Sequence, residues 1–120
     1  MAKAAERRTL KQVAGDDAEA RASMYLERLG YRVVARNVTL AFAELDLIVK
    51  DGDVVVFVEV RKRKTRIDAL ESVGPKKQAR LIRAGAAWLE QNAPSARARF
   101  DVVAVTRLLD VHHVKDAFSA

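Results

Sequence analysis

The stretch that most constrains the fold runs from Ala43 to Arg66 and has the pattern of a β-hairpin. Two runs rich in strand-forming residues, Leu45–Lys50 and Val54–Arg61, flank the dipeptide Asp51-Gly52, which is typical of tight hairpin turns. The second run opens with Val54–Val58, a continuous apolar segment typical of a strand buried on both faces. The rest of the chain must therefore cover this hairpin.

Charged residues interrupt the apolar pattern of both strands. A two-residue turn at Asp51-Gly52 predicts a register in which Lys50 pairs with Asp53. Because side chains alternate between the two faces of a strand, four charged side chains then share one face: Glu44, Asp46, Glu59 and Arg61. Directly opposed residues have Cβ atoms about 4.5–5.5 Å apart, so the three carboxylates crowd one small patch with a cation at its edge.

Two interpretations of these charges stay open on the residues alone. Glu59 and Arg61 can be the solvated tip of a strand, with Glu44 a surface residue before the first strand. However, like charges set opposite each other destabilise a sheet, so a purely structural strand gains nothing from them. A divalent metal ion accounts for them, because Mg²⁺ is held by one or two carboxylates together with substrate phosphate oxygens. The four residues together favour the metal site.

Length and charge restrict the class of protein and its partners. A chain of 120 residues, half of them hydrophobic, is long enough for one globular domain with a real core. The net charge of +6 favours a polyanionic partner, most commonly nucleic acid. The absence of cysteine excludes disulfides, zinc–thiolate sites and thiol catalysis, and it fits a reducing cytoplasm. We expect no membrane contact, and the oligomeric state stays open, a homodimer included.

The remaining segments predict a mixed α/β order. Residues 1–15 are predicted to form a basic N-terminal arm and residues 16–120 a single domain. Asp16 or Asp17 is the predicted N-cap of a first helix that ends at Gly30. Outside the hairpin, the predicted strands and second helix are Tyr31–Asn37, Lys76–Gln91, Phe100–Val105 and an edge strand at Val111–Val114. For Ile67–Val73, a short helical turn and an irregular loop both stay open.

Basic residues follow directly after the charged patch. Five of the six residues from Arg61 to Arg66 are basic, and further cations lie in the first turns of the helix Lys76–Gln91. A charge run is usually a solvated face, but this one leaves the patch where a phosphate backbone has to pass if a metal is held there. The predicted nucleic-acid contacts are Lys62, Arg63, Lys64, Arg66, Lys77 and Arg80.

Four other chemically capable residues are interpreted as structural. Trp88 lies on the apolar side of its helix, which indicates a core anchor and not a base-stacking residue. Asp101 is predicted to be structural. His112 and His113 have no carboxylate or cysteine at metal-ligand spacing, so we predict that both are exposed and non-catalytic.

Taken together, these motifs resemble the uncharacterised bacterial YraN-like family, whose members look like nucleases of the restriction-endonuclease-like fold. The resemblance runs from about Gly15 to Val105. Its landmarks are Ala18-Glu19, Leu29-Gly30-Tyr31, Asn37, Ala43–Ile48, Phe57–Arg63, Pro75, Lys77, Leu81 and Arg99–Val103. The resemblance implies an α/β fold with a restriction-endonuclease-like core, in which helices flank a central mixed β-sheet in the order α-β-β-β-α-β.

The resemblance also implies a site. In that wider fold, an aspartate on one hairpin strand and an acid-X-lysine on the next hold Mg²⁺ and activate water. Carried over, the ligands of Mg²⁺ or Mn²⁺ are Asp46 and Glu59. Four further residues match supporting positions, namely the acids Glu44 and Glu19 and the substrate-facing Arg63 and Lys77.

This sequence departs from the family's pattern at two motif positions. Ala43 replaces the usual glycine before the first acid, and Arg61 replaces the motif lysine. A guanidinium stays charged and offers a rigid fork, so Arg61 can stabilise a phosphate but makes a poor base.

Whether the chain is an enzyme therefore stays open. The leading hypothesis is a Mg²⁺-dependent endonuclease that hydrolyses phosphodiester bonds in DNA, with branched and nicked forms among its candidate substrates. The alternative is a non-catalytic nucleic-acid-binding module on the same fold, with a site made degenerate by Arg61. A third and weaker hypothesis is a protein-interaction subunit whose positive charge only keeps it in solution.

Overall fold

The structure is a five-stranded mixed sheet with helices packed against it. This computed structural model describes residues 10–40 and 42–119, with side chains from residue 17 onward. In chain order the elements are α1 (Leu10–Arg28), β1 (Arg32–Thr39), β2 (Glu44–Asp51), β3 (Val54–Lys62), α2 (Arg66–Glu71), α3 (Pro75–Asn92), β4 (Ala98–Val105) and β5 (Val111–Phe118). This architecture confirms the predicted α/β class and is consistent with a restriction-endonuclease-like core.

The strands lie in the sheet in chain order, from β1 at one edge to β5 at the other. β1, β2 and β3 form an antiparallel meander, β3 and β4 run parallel, and β5 returns antiparallel to β4. α2 and α3 make the crossover that a parallel pair of strands requires. Residues Val55–Val58 of the central strand β3 are buried, as the continuous apolar run predicted. No helix in the described part of the chain is long and apolar enough to cross a membrane.

Two apolar clusters cover the two faces of the sheet. In one cluster, Trp88 of α3 packs edge to face on Phe57, with 6.0 Å between the ring centroids. In the other, Ala22 and Leu26 of α1 pack against residues of β2, β3 and β4. Trp88 is only 8% exposed, which confirms its predicted role as a core anchor. The part of β3 that leads to Glu59 is therefore held between two helices.

The ends of α1 confirm one prediction and correct another. Gly30 follows the helix with φ of +92°, as expected for a glycine that stops a helix. The predicted N-cap at Asp16 or Asp17 is wrong, because α1 begins at Leu10 and continues through both aspartates. Gly15 costs only about 1 kcal/mol relative to alanine inside a helix, so it does not end this one. Of the predicted basic arm, residues 1–9 lie outside the described residues.

The central hairpin has the predicted strands but a different register. Asp51 pairs with Val54, so the two turn residues are Gly52 and Asp53. The predicted pairing of Lys50 with Asp53 is wrong, because Gly52 takes the first turn position, where its φ of +60° is easily reached by glycine. The shift moves the pairing by one residue in each strand, so residues predicted to share a face still share it.

Candidate active site

Asp46 and Glu59 come together where the pairing of β2 and β3 ends. The ladder between these strands stops one residue short of both acids, and one further step along each strand places Asp46 opposite Glu59. The Asp46 carboxylate accepts the backbone N–H of Val60 at 2.9 Å, which fixes its position. The predicted pairing of Lys50 with Asp53 implies that Asp46 lies opposite Phe57, so the observed register brings the two acids closer together than predicted.

The surroundings of Asp46 oppose its negative charge. Glu59 is only 5% exposed, and it lines a small pocket together with Asp46, Leu45 and Phe57. Burial raises the pKa of Asp46 to about 8, the charge of Glu59 adds to this rise, and the Val60 N–H opposes it. Two carboxylates in this position either share a proton or are neutralised by a cation.

Two cations from different elements converge on Glu59. Lys77 of α3 places its Nζ 2.9 Å from Glu59 Oε2, and a guanidinium nitrogen of Arg61 lies 3.5 Å from the same oxygen. Arg61 Nε donates to Ser72 Oγ at 2.8 Å, and Ser72 Oγ donates to the carbonyl of Ala69 at 2.6 Å. Arg61 is therefore held in one orientation by the end of α2.

Glu19 and Glu44 extend this group of acids toward the surface. Partial burial raises the pKa of Glu19, a hydrogen bond with Asn37 lowers it in part, and the nearby charge of Glu44 raises it further. Glu44 itself is exposed at the start of β2. The structure thus brings acids of α1, β2 and β3 into one acidic patch, which consists of Glu19, Glu44, Asp46 and Glu59.

The donors of the acidic patch suit a hard divalent cation. Within the described residues, no group of three or more His, Cys, Asp or Glu side chains is arranged to hold a metal ion. Asp46 and Glu59 nevertheless supply two neighbouring carboxylates, and Mg²⁺ is commonly held by one or two carboxylates while waters and substrate phosphates complete its shell. A cation held by both carboxylates also offsets the burial and the Glu59 charge that raise the pKa of Asp46. The two residues therefore fit Mg²⁺ or Mn²⁺.

Asp46→Asn is expected to stabilise the protein in the absence of metal. The pKa of Asp46 rises from 3.8 to about 8 on folding, so the contribution of Asp46 to stability is fully present below about pH 3.8 and is lost as the pH rises through about 8. Asparagine still accepts the Val60 N–H and cannot ionise, so this loss disappears. The expected gain at about pH 8 is roughly 1–3 kcal/mol. Thermal unfolding in EDTA, from about pH 5 to about pH 9, measures it.

Glu44→Gln is the matched control, because it removes an exposed carboxylate from the same patch. We expect this variant to keep the wild-type dependence of stability on pH. A wild-type protein that is as stable at about pH 9 as at about pH 5 contradicts the raised pKa of Asp46.

The predicted nucleic-acid contacts lie in four places. Arg66 and Arg80 are exposed, at the start of α2 and on α3. Lys77 lies against the acidic patch, where it contacts Glu59. The other three line a half-open cavity of about 470 Å³ beyond the end of β3, and they are Lys62, Arg63 and Lys64.

A second buried charged group connects β4 with β5. Arg99 Nε donates to the buried Asp101 carboxylate at 3.0 Å, and His113 Nε2 lies 2.7 Å from the same carboxylate. The predicted exposure of His113 is wrong, since its side chain is only 4% exposed and its Nδ1 lies 3.2 Å from the Tyr25 hydroxyl of α1. His113 is buried because β5 packs against α1, which covers this side chain. The structural role predicted for Asp101 is consistent with this burial.

Two contributors to these surfaces were missed in the sequence. Ser72 orients Arg61, and its only local signal is its position directly after a short helix. Arg107 lines the cavity of about 470 Å³. Arg107 follows β4, and the carboxyl ends of neighbouring parallel strands meet at one edge of a sheet. A sequence analysis that paired β3 with β4 in parallel would therefore have placed Arg107 beside the basic residues after β3.

The sequence is similar to proteins of several bacterial species. The model of the Uncharacterised protein family UPF0102 matches residues 18–105, a span that includes the whole acidic patch. A UPF0102 protein of Halorhodospira halophila is 48% identical over 106 residues, covering 87% of this chain and 85% of the relative. A UPF0102 protein of Stutzerimonas stutzeri is 41% identical over 116 residues (91% and 97%). The UPF0102 protein RPA0323 of Rhodopseudomonas palustris is 38% identical over 108 residues (88% and 83%).

Proposed function

We propose that this chain, which belongs to the uncharacterised protein family UPF0102, is a divalent-metal-dependent endonuclease that hydrolyses phosphodiester bonds in DNA. The family's name assigns no activity, so the proposal rests on the chain's own residues. The observation that carries it is that Asp46 and Glu59 lie together at the end of the central hairpin, where Lys77 and Arg61 both contact the Glu59 carboxylate.

As a purely structural feature this arrangement is unfavourable. Burial and the charge of Glu59 raise the pKa of Asp46 to about 8, whereas apolar residues at the same positions would pack without such a penalty. The patch lies in a chain with a net charge of +6, and basic residues follow it directly along β3. A divalent cation together with a phosphodiester satisfies both the acidic patch and the basic surroundings.

In this proposal Asp46 and Glu59 hold Mg²⁺ or Mn²⁺, and Glu44 at the rim strengthens the negative field around it. The cation supplies Lewis-acid chemistry, because it polarises a phosphoryl oxygen and makes water more acidic. Hydrolysis joins the oxygen of water to phosphorus, breaks one P–O ester bond and passes a proton to the leaving oxygen. Arg61 and Lys77 stabilise the negative charge that grows on the phosphate oxygens during this step.

One observation favours a second function, a non-catalytic DNA-binding module on the same fold. The Lys77 ammonium lies 2.9 Å from Glu59 and neutralises it without any metal. Arg61, at the position to which the resemblance assigns a lysine, is held by Ser72 and Glu59. In this alternative the basic residues bind DNA, and the acidic patch is a remnant that supports the fold.

A cleavage assay on several forms of DNA tests the proposal. Wild-type protein is incubated with linear, nicked, flapped and four-way DNA in the presence of Mg²⁺ or Mn²⁺. The endonuclease proposal predicts cuts that require the cation and stop in EDTA. If the protein binds DNA but cleaves none of the substrates with either metal, the result supports the binding module instead. A protein that neither binds nor cuts DNA contradicts both functions.

Arg63→Ala combined with Lys64→Ala is expected to weaken DNA binding by a similar factor for all sequences, because phosphate contacts carry no base information. Each lost phosphate contact should also reduce the slope of log affinity against log salt concentration by about 1. Fluorescence anisotropy with labelled DNA at several salt concentrations measures both effects.

Arg28→Ala combined with Arg32→Ala is the matched control for this pair. It removes the same two charges at the opposite end of the sheet, where β1 begins beside the central hairpin turn. If the control weakens binding as much as the test pair does, the basic residues after β3 have no special role.

A further inference from the structure

The half-open cavity beyond the end of β3 forms a recess beside the acidic patch, at the carboxyl ends of the parallel strands β3 and β4. Its volume of about 470 Å³ falls in the range of roughly 300–1,000 Å³ that is typical of small-molecule sites. Four cations line it, namely Lys62, Arg63, Lys64 and Arg107. The size and the cations of the recess therefore suit an anionic ligand of moderate size.

The loop that carries Arg107 is held in place by its own hydrogen bonds. The Leu109 N–H donates to the Thr106 carbonyl at 3.0 Å, and the Asp110 N–H donates to the Thr106 hydroxyl at 3.0 Å. Arg21 of α1 donates to the Leu109 carbonyl at 2.9 Å. Leu109 keeps a φ of +67°, which is unfavourable for leucine, so the surrounding contacts determine this wall of the recess.

The lining combines three kinds of group that one nucleotide requires. Its cations suit a phosphate, through charge-assisted hydrogen bonds. Leu109 is exposed and offers apolar surface for the face of a base, and the flat guanidinium of Arg107 offers a stacking surface. The carboxylates of Asp17 and Asp68 can accept hydrogen bonds from the amino group of a base. Free phosphate would use the cations alone and leave the rest of the lining unused.

The recess and the acidic patch are built from the same two elements. On β3, Lys62 follows Glu59 by three residues, a distance of about 10 Å along an extended strand, and the two side chains leave opposite faces at the carboxyl end of that strand. On α1, Ala18 lines the recess and the next residue, Glu19, belongs to the acidic patch. Stacked nucleotides of one strand are about 3.4 Å apart, so DNA with a phosphate at the acidic patch reaches the recess within a few nucleotides.

We propose that this recess binds one unpaired nucleotide of the DNA, turned out of the base stack, so that the protein prefers DNA with an unpaired nucleotide close to the bond it cuts. The inference rests on the proposed function, because it takes a DNA strand at the acidic patch as given. An unpaired base leaves the stack at lower cost than a paired one, and this difference produces the preference.

Arg107→Ala tests the recess, with a duplex carrying a single unpaired 2-aminopurine and a fully paired duplex of the same sequence as probes. Binding is measured by anisotropy in EDTA, so that no cleavage occurs. Wild-type protein is expected to bind the unpaired probe more tightly and to raise its 2-aminopurine emission as the base leaves the stack. Arg107→Ala should lower affinity for the unpaired probe by about tenfold, the effect of one lost charge-assisted contact.

Arg97→Ala is the control, because it removes an equal charge just before β4, at the opposite end of that strand from Arg107. Both variants should lower affinity for the paired duplex by the same small factor. A preference for the unpaired probe that Arg107→Ala removes and Arg97→Ala keeps supports the inference. DNA binding without that preference, or with a preference insensitive to Arg107, overturns the inference and leaves the proposed function standing. Absence of any DNA binding overturns both.

Discussion

Asp46→Ala is expected to abolish metal-dependent cleavage of DNA. Asp46 is one of two carboxylates at the centre of the acidic patch, and its loss leaves Glu59 in contact with Lys77 and Arg61 alone. Loss of a residue that only supports a metal ligand lowers activity by about 10–100-fold, so loss of a ligand should lower the cleavage rate by more than about 100-fold. Single-turnover cleavage in Mg²⁺ measures the rate of the chemical step. DNA binding in EDTA should persist, since a negative charge facing the phosphates is removed.

Asp53→Ala is the matched control for Asp46→Ala. It makes the same chemical change at the exposed turn of the central hairpin, at the far end of the same two strands. We expect wild-type cleavage from this variant. If Asp46→Ala cuts DNA as fast as wild type, the acidic patch is not the catalytic site.

Asp101→Ala is expected to lower the free energy of unfolding by roughly 3–5 kcal/mol, the usual cost of removing one partner from a buried ion pair. Asp101 is fully buried and accepts hydrogen bonds from Arg99 Nε and the Asp116 N–H, each at 3.0 Å. Its loss also leaves His113 without its partner at 2.7 Å. Domains have a total stability of about 5–15 kcal/mol, so urea unfolding should show a large shift.

The effect of Asp101→Ala should depend on pH in a definite direction. Burial alone raises the pKa of Asp101, but hydrogen bonds from His113, Arg99 and the Asp116 N–H outweigh it and hold the pKa below 3.8. The stabilisation is therefore present above about pH 3.8 and is lost as the pH falls through the lower folded-state pKa. Wild type and variant should thus converge in strong acid.

Asp110→Ala, in the exposed loop between β4 and β5, controls for the loss of an aspartate. Surface substitutions of this kind usually change stability by less than about 0.5 kcal/mol. A loss below about 1 kcal/mol in Asp101→Ala would show that neighbouring groups or water replace its contacts.

Much of the fold follows from local signals in the sequence. The dipeptide Asp51-Gly52 between two β-rich runs predicts the central hairpin, Pro75 opens α3, and Gly30 follows the end of α1 with positive φ. The start of α1 was not accessible in this way, because a glycine such as Gly15 is only mildly unfavourable in a helix. The parallel pairing of β3 with β4 was also inaccessible, since it joins strands separated by two helices.

The candidate site was only partly accessible from the sequence. The predicted and observed registers of the hairpin differ by one residue along each strand. Such a displacement keeps Asp46 and Glu59 on the same face of the sheet, so this part of the prediction holds although the predicted register is wrong. The contact of Lys77 with Glu59 depends on how α3 packs over the sheet, and no local pattern encodes that packing. The burial of His113 depends likewise on the position of α1 over β5.

Calorimetric titration of Mn²⁺ into wild type, Asp46→Asn and Glu59→Gln tests most directly whether the acidic patch binds a cation. We predict that wild type binds Mn²⁺ with an affinity that rises with pH up to about 8, because the ligands must be ionised, and that both variants lose this binding. If wild type binds no Mn²⁺ at about pH 8, or if both variants bind it as tightly as wild type, Asp46 and Glu59 hold no metal and the nuclease account is contradicted.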